Sequence, residues 1–499
     1  MKVLERYGVD ADKVPASVKI IEDNEHNVPI YDISTPQIGP ATLALMESLK
    51  SKVSELVPIE IEESIDPEKS KQQKEHFLKQ IKGVIQDNLP DESEDRIDIL
   101  AGVMLHQMFG LGFIELLMSD DNLEELAING VKQPISIYHK KHGWCRTNYS
   151  LQHEDEIFNL SSQIGRKVGR EINSLHPIMD AHLLTGDRVE STLFPITTVG
   201  NTITIRRFSR NPWTIIHLME ANTISSEVAA FLWQAIQYEL NILVAGGTAS
   251  GKTSMLSALC SLMPPTQRIL SIEDTREISL PDNLQWNWVP MTTRNKNPEG
   301  EGEVTMLDLM VASLRMRPDR IIVGEVRRKE QAETMFEAMH TGHSVYTTIH
   351  ADTAEQVRRR LTEPPIDIPK TEVESLHLTL VQFRDRRIGK RRTLELAEVL
   401  SGSDELELNY LYRWHPRTDK FEKANSSVRV TEALNLHTGM TAKEIERQRA
   451  DKQKVLEWMR EKGLKDMDQV GRVMSVYYKD PSKVMDAVKK NRKQICDLH

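Results

Sequence analysis

The chain has 499 residues, 28% of them charged and 5% aromatic, with a formal net charge of −10. That length exceeds what one hydrophobic core serves, so two to four domains are expected, and no apolar run approaches the ~18 residues of a membrane-spanning helix. The charged start MKVLERYGVDADK lacks the apolar segment of a signal peptide, and Cys145, Cys260 and Cys496 lie too far apart for a metal site or a disulfide framework. A cytoplasmic protein with incidental thiols is expected.

The acidity is concentrated at the start, where residues 1–100 hold 12 Lys and Arg against 21 Asp and Glu, 12 − 21 = −9. Pro-interrupted segments such as Val28–Pro40 precede a Lys/Glu/Gln-rich stretch, Glu62–Lys82, whose Phe77, Ile81 and Ile85 recur every four residues and predict a helix packed by one narrow stripe. The acidic tract Asp91–Asp98 reads as a linker, closing an N-terminal extension over residues 1–98.

Residues 99–212 change texture. A helical segment with Val103, Met104, Met108 and Phe109 leads to Ile114–Met118, then to strand-like Glu125–Asn129, Ile135–His139 and Asn201–Arg207 around a helical Glu154–Gly169, which together predict a compact α+β domain. Arg188, Arg206 and Arg207 stand at strand ends, where arginines either face solvent or reach phosphate.

After Asn211-Pro212-Trp213, an amphipathic helix over Ser225–Leu240 opens a domain predicted for residues 213–400. Ile242–Ala245 reads as a buried strand. It runs into Gly246-Gly247-Thr248-Ala249-Ser250-Gly251-Lys252-Thr253, a complete phosphate-binding loop, and then into a helix from Thr253. Glycines let consecutive N–H groups curl around phosphate, Lys252 reaches the β/γ-phosphates, the Thr253 hydroxyl ligates magnesium, and Ser254 follows in the first helical turn. ATP and Mg²⁺ are the ligands implied.

Strands and helices then alternate: strand Arg268–Ile272, helix Met306–Met316, strand Arg320–Val323, helix Lys329–Met339, strand Ser344–Ile349, helix Ala354–Leu361. Such alternation predicts a parallel sheet with crossover helices. Acids stand at two strand ends, Glu325 after Arg320–Val323 and Glu273, Asp274 and Glu277 around the end of the strand before it, and such ends face the ligand in a doubly wound sheet. Glu325 occupies the position of a carboxylate in the magnesium shell. His343 and His350 flank the strand Ser344–Ile349, ~23 Å apart if extended and so too far for one metal ion; a phosphate-sensing role and a plain surface role both stay open. Six of nine residues in Arg384–Arg392 are basic around a turn at Gly389, either a solvated hairpin tip or a contact with anionic lipid. Residues 401–499 read as mainly helical.

Taken in order, GGTASGKT, SIEDTRE, LRMRPDRIIVGEVR and TGHSVYTTIHAD resemble the type II and type IV secretion ATPases, over roughly Leu100–Leu400. Within that family the chain looks most like archaeal archaellum and pilus motors, given the long N-terminal extension and no four-cysteine insertion. The resemblance implies a PAS-like domain before a RecA-like motor domain, with mainly helical extensions at both ends. It implies Glu277 as the water-polarising acid, Glu325 as the Walker-B acid, His343 and His350 as the histidine box, and Arg188, Arg206 and Arg207 as γ-phosphate sensors. It further implies a homohexamer on the cytoplasmic face of a membrane, working on a polytopic platform protein. Ala249 departs from the glycine of many members and is harmless if its φ is negative. A nucleic-acid translocase, the rival class, calls for basic, aromatic-interleaved surfaces that 5% aromatics and one basic hairpin do not supply.

Overall fold

Burial alternates along Val14–Ile21 but is unbroken along Ile242–Gly246, the marks of a sheet covered on one face and a sheet covered on both. The structure, a computed structural model, describes residues 2–23, 27–56, 67–183, 185–208, 212–296, 300–385, 387–400 and 406–492. Cys496 and Arg386 lie outside the described residues. The chain divides into two units, one of residues up to Arg210 and one of residues from Asn211 on.

The first unit holds β1 (Val3–Ala11), β2 (Val14–Ile21), β3 (Ile30–Ser34), β4 (Leu123–Asn129), β5 (Ser136–His139), β6 (Gly143–Thr147), β7 (Ile178–His182), β8 (Arg188–Thr192) and β9 (Thr202–Arg206). They form one sheet in the order β1-β2-β3-β6-β5-β4-β9-β8-β7, antiparallel throughout except where β3 meets β6. The 1–98 extension is thus mainly helical as expected, but it also supplies three strands to the sheet of the following domain. Asp12 and Lys13 join β1 to β2 with φ of 50° and 71°, a hairpin turn built without the glycine that usually announces one.

The boundary expected at 98/99 does not exist. Helix Glu94–Met108 runs through it, with Ser93 as N-cap accepting from the Arg96 amide and with Glu94 and Asp95 in its first turn. The acidic tract is a helix start, where negative charge offsets the macrodipole, and not a linker. The stripe expected from Phe77, Ile81 and Ile85 is buried on helix Pro67–Asn88, packed with Ile97, Leu100 and Met104.

The second unit holds β10 (Ile242–Gly246), β11 (Ile269–Glu273), β12 (Trp288–Thr292), β13 (Arg320–Val323), β14 (Ser344–Ile349), β15 (Leu378–Asp385), β16 (Lys390–Leu400), β17 (Glu407–His415) and β18 (Lys420–Lys423). Their order is β12-β11-β13-β14-β10-β15-β16-β17-β18, parallel as far as β15 and antiparallel beyond. This is the α/β architecture expected, with β14 inserted between the phosphate-loop strand β10 and the acid-bearing β13. Residues past 400 are not separate: β17 and β18 extend the sheet. The helices Arg429–Thr438, Ala442–Lys462, Met467–Lys479 and Pro481–Lys489 then join the core, Tyr478 accepting from Trp233 Nε1 at 2.9 Å and Ile445 accepting from Gln234 Nε2 at 3.0 Å.

Candidate active site

The phosphate loop leaves the carboxyl end of β10 at Gly246 and enters helix Lys252–Cys260. A β-carbon at Gly246 would collide with Ser250 Oγ and the Gln382 carbonyl, so only glycine fits there, while one at Gly247 would lie 2.9 Å from Asp352 Oδ1 and push that exposed side chain aside. Thr248 and Ser254 are exposed, Thr253 is half-buried and Ser250 is buried. Ala249 corrects an expectation: its φ is +59°, not negative, a conformation that costs an L-residue about 1–2 kcal/mol.

Because β14 runs between β10 and β13, the residue after its end lands between the loop lysine and the β13 acid. That residue is His350. Lys252 Nζ is 3.2 Å from the Gly247 carbonyl and 3.3 Å from His350 Nδ1, and His350 Nε2 is 3.1 Å from Glu325 Oε1. An ammonium only donates, so Nδ1 accepts and Nε2 carries the ring proton. The Nε2 to Oε1 approach is within ion-pair range but off the hydrogen-bond direction, which leaves Oε1 buried without a hydrogen bond among the described residues. Glu325 Oε2 takes Arg327 Nε and Nη2 at 2.9 and 2.7 Å, and Arg327 Nη1 reaches Asp274 Oδ2 at 3.0 Å.

Burial lowers the Lys252 pKa, while Glu325, Glu277 and Asp352 oppose it. Three carboxylates therefore surround one ammonium. Burial also lowers the His350 pKa, joined by Lys252 and Arg327 and opposed by Glu325, so its imidazole is neutral at pH 7. Arg327 and Asp352 carry no role on sequence grounds. The signal for Arg327 is its place two residues past Glu325, where a strand-end side chain turns back on the acid.

Glu277 follows β11 and is held by Glu273, whose Oε1 accepts the Glu277 and Ile278 amides at 2.9 and 3.0 Å. Glu273 is 2% exposed, and burial pushes its carboxyl from 4.5 up to about 7 against those hydrogen bonds. The fold therefore favours the protonated form, so the stability it contributes is present below the unfolded pKa and is lost as pH rises through about 7. Glu273→Gln keeps an acceptor oxygen and cannot ionise. Between about pH 4.5 and 7.5 the unaltered protein is expected to lose roughly 2–3 kcal/mol relative to the variant. Urea unfolding of both proteins at the two pH values checks this; parallel pH dependences would refute it.

The other expected site residues separate. His343 precedes β14 and pairs at 3.0 Å with Thr341 Oγ1, at the opposite end of the strand from the phosphate loop, so the two histidines do not share a site. In the first unit, Arg188 makes a two-pronged pair with Asp180 at 3.0 and 2.7 Å, and Arg206, opposite it in register, is exposed. Arg207 is corrected: its side chain is 3% exposed and holds the Asp120 and Leu123 carbonyls, the latter at 3.2 Å. The Asp120 carboxylate accepts both Tyr7 and Tyr31 at 2.7 Å, which places Arg207 in the frame of that turn. The basic hairpin is no uniform solvated tip, since Arg392 is buried and, with Lys390, pairs Asp419, while Arg387 pairs Asp385. Cys145 and Cys260 are buried, with burial raising the Cys145 thiol to about 11.

These residues fit a nucleotide with a divalent cation. Ser250 Oγ and Glu325 Oε1 are buried acceptors without hydrogen bonds among the described residues, and at Gly246 the loop leaves no room for a β-carbon. Thr253 and Glu325 would hold the cation, which when bound neutralises phosphate charge. On the same fit, Lys252 would supply an ammonium for the phosphates and Glu277 a carboxylate beside it.

A family model described as "Type II/IV secretion system protein" matches residues 186–384. An uncharacterized protein of Methanocaldococcus jannaschii, MJ0900, is 32% identical over 385 residues, 75% of this chain and 69% of that protein. Type IV secretion system protein PtlH of Bordetella pertussis is 30% identical over 56% of this chain and 91% of its own length. The solved structure of the Legionella pneumophila ATPase DotB aligns with a TM-score of 0.42 at 17% identity, over 75% of this chain and 93% of DotB. Identity of 30% across nine-tenths of PtlH, together with a family match that takes in the phosphate loop, the acid-bearing strands and His350, places this chain in the type II/IV secretion system protein family.

Proposed function

We propose that the protein is a magnesium-dependent ATPase that forms a homohexameric ring at the cytoplasmic face of a membrane and, through a polytopic platform protein, drives assembly or secretion of a type IV pilus-like filament or archaellum. The observation that carries the enzymatic part is the convergence of Lys252, His350 and Glu325 at the carboxyl ends of β10, β14 and β13, with Glu277 acting on the same lysine. PtlH, named for a type IV secretion system, supports the transport part. Among the described residues no helix is long and apolar enough to cross a membrane, in keeping with a peripheral position. Contact with lipid through Arg384–Arg392 is not part of this reading, because Arg387, Lys390 and Arg392 are engaged within the fold.

The test is hydrolysis by the purified chain. ATP turnover is expected with Mg²⁺, is abolished by EDTA and rises when platform protein in membranes is added. Stimulation by single-stranded DNA and none by the platform would instead assign a nucleic-acid motor.

Of the three arginines, Arg188 and Arg206 are the phosphate sensors of this reading. Arg206→Ala is expected to lower kcat at least tenfold and to leave stability within about 0.5 kcal/mol. Arg207→Ala is expected to lower unfolding free energy by about 1–3 kcal/mol by stranding buried carbonyls. Urea melts and turnover on both variants separate the two roles, and a reversed pattern would refute the assignment.

A further inference from the structure

The basic hairpin of β15 and β16 reaches back to the nucleotide loop. Arg391 donates from Nε to the Ala249 carbonyl at 3.2 Å, and its stem lies over the start of the loop helix, where a β-carbon on Gly251 would be 3.5 Å from Arg391 Cδ. Its neighbours are occupied elsewhere, Arg387 on Asp385, Lys390 and Arg392 on Asp419.

Ala249 has a particular need of such a contact. The Ser250 amide donates to the Gly247 carbonyl at 3.3 Å, closing a four-residue turn over Gly247–Ser250. Of its two central residues Ala249 has positive φ, +59°, and Thr248 does not, the pattern of a type II turn. That turn favours glycine at its third position, since a β-carbon there crowds the backbone. Alanine left to itself shifts toward turns with negative φ, which rotate the plane of the Ala249–Ser250 peptide. Because a peptide unit is planar, a donor that fixes the Ala249 carbonyl also fixes the Ser250 amide on its other side.

We infer that Arg391 is a positioning residue for the nucleotide loop: it holds the Gly247–Ser250 turn in its phosphate-receiving form against the preference of Ala249, and glycine at 249 would make it dispensable. The inference rests on the nucleotide reading of this site and adds a residue outside the motif on which the loop depends.

Four proteins test it: the unaltered chain, Arg391→Ala, Ala249→Gly and the double variant, each titrated with a fluorescent non-hydrolysable ATP analogue and Mg²⁺. Arg391→Ala is expected to weaken binding about tenfold, the scale of one charged hydrogen bond. Ala249→Gly is expected to bind at least as tightly as the unaltered chain. In the glycine background, removing Arg391 should cost twofold or less, a rescue that loss of general positive charge would not produce. Arg387→Ala, which removes the same charge from the same hairpin, is expected to change binding less than twofold. An equal loss from Arg391→Ala in both backgrounds would overturn the inference, as would no loss in the alanine background or an equal loss from Arg387→Ala. Absence of binding by the unaltered chain would overturn the nucleotide reading itself and the inference with it.

Discussion

Lys252→Ala is expected to reduce ATP hydrolysis by about 10²–10³-fold or more, the range seen when a preorganised charge is withdrawn from a developing negative charge. The lysine residue is 9% exposed, held between the Gly247 carbonyl and His350 Nδ1, and Glu325, Glu277 and Asp352 all favour its charged form. Removing it takes away the attraction for phosphate and also one of the cations that offset those carboxylates, Arg327 remaining on Glu325. Nucleotide affinity should therefore fall along with kcat. Lys252→Arg is expected to offer no rescue, because a planar guanidinium does not reproduce the compact point charge of an ammonium. Turnover of either variant within a few-fold of the unaltered protein would show that the lysine does not meet the phosphates.

The reach of sequence reasoning follows from how local each feature is. The phosphate loop is contiguous because one strand end and one helix start must present consecutive amides to one anion, so Gly246–Thr253 announces itself. Buried parallel strands are nearly as plain: Arg320–Val323 and Ser344–Ile349 stand where their apolar runs predict them. What spacing cannot supply is which end of a strand faces the ligand. His343 and His350 are equivalent as a pair seven residues apart, and they separate only once β14 is laid parallel to β10, with Ile349 beside Ala245 and hence His350 at the loop. Likewise the role of His350 depends on β14 standing between β10 and β13, a fact of sheet order written in no local pattern.

Arginines show the same limit from the other side. Arg206 and Arg207 are adjacent in sequence, yet successive side chains of an extended segment point to opposite faces. One is therefore exposed on β9 while the other is packed against carbonyls more than eighty residues earlier in the chain. Arg391 and Arg392 divide similarly, one over the Ala249 carbonyl and one buried on Asp419. Composition counts all of them as a basic run. The strands β1 and β2 escaped notice for a different reason, since their connecting residues Asp12 and Lys13 reach left-handed φ without glycine.

Glu277→Gln is the variant that separates chemistry from binding. Glutamine is isosteric and keeps the Glu273 contact, which is made to the backbone amide of residue 277 and not to its side chain. It cannot accept a proton or carry the negative charge that polarises water. A fall in kcat of about 10²–10⁴-fold is expected, with nucleotide affinity unchanged or higher because one negative charge near the phosphates is gone. Glu325→Gln should behave differently. Its Oε1 is buried and without a hydrogen bond among the described residues, so the amide is expected to raise the Mg²⁺ concentration for half-maximal activity, and turnover falls through that loss. Measuring kcat and the Mg²⁺ half-saturation point on both variants assigns the two acids. Unaltered turnover in Glu277→Gln would remove it from the mechanism. A raised Mg²⁺ requirement in Glu277→Gln together with an unchanged one in Glu325→Gln would exchange their roles, with the acid after β11 holding the cation and the acid after β13 orienting water.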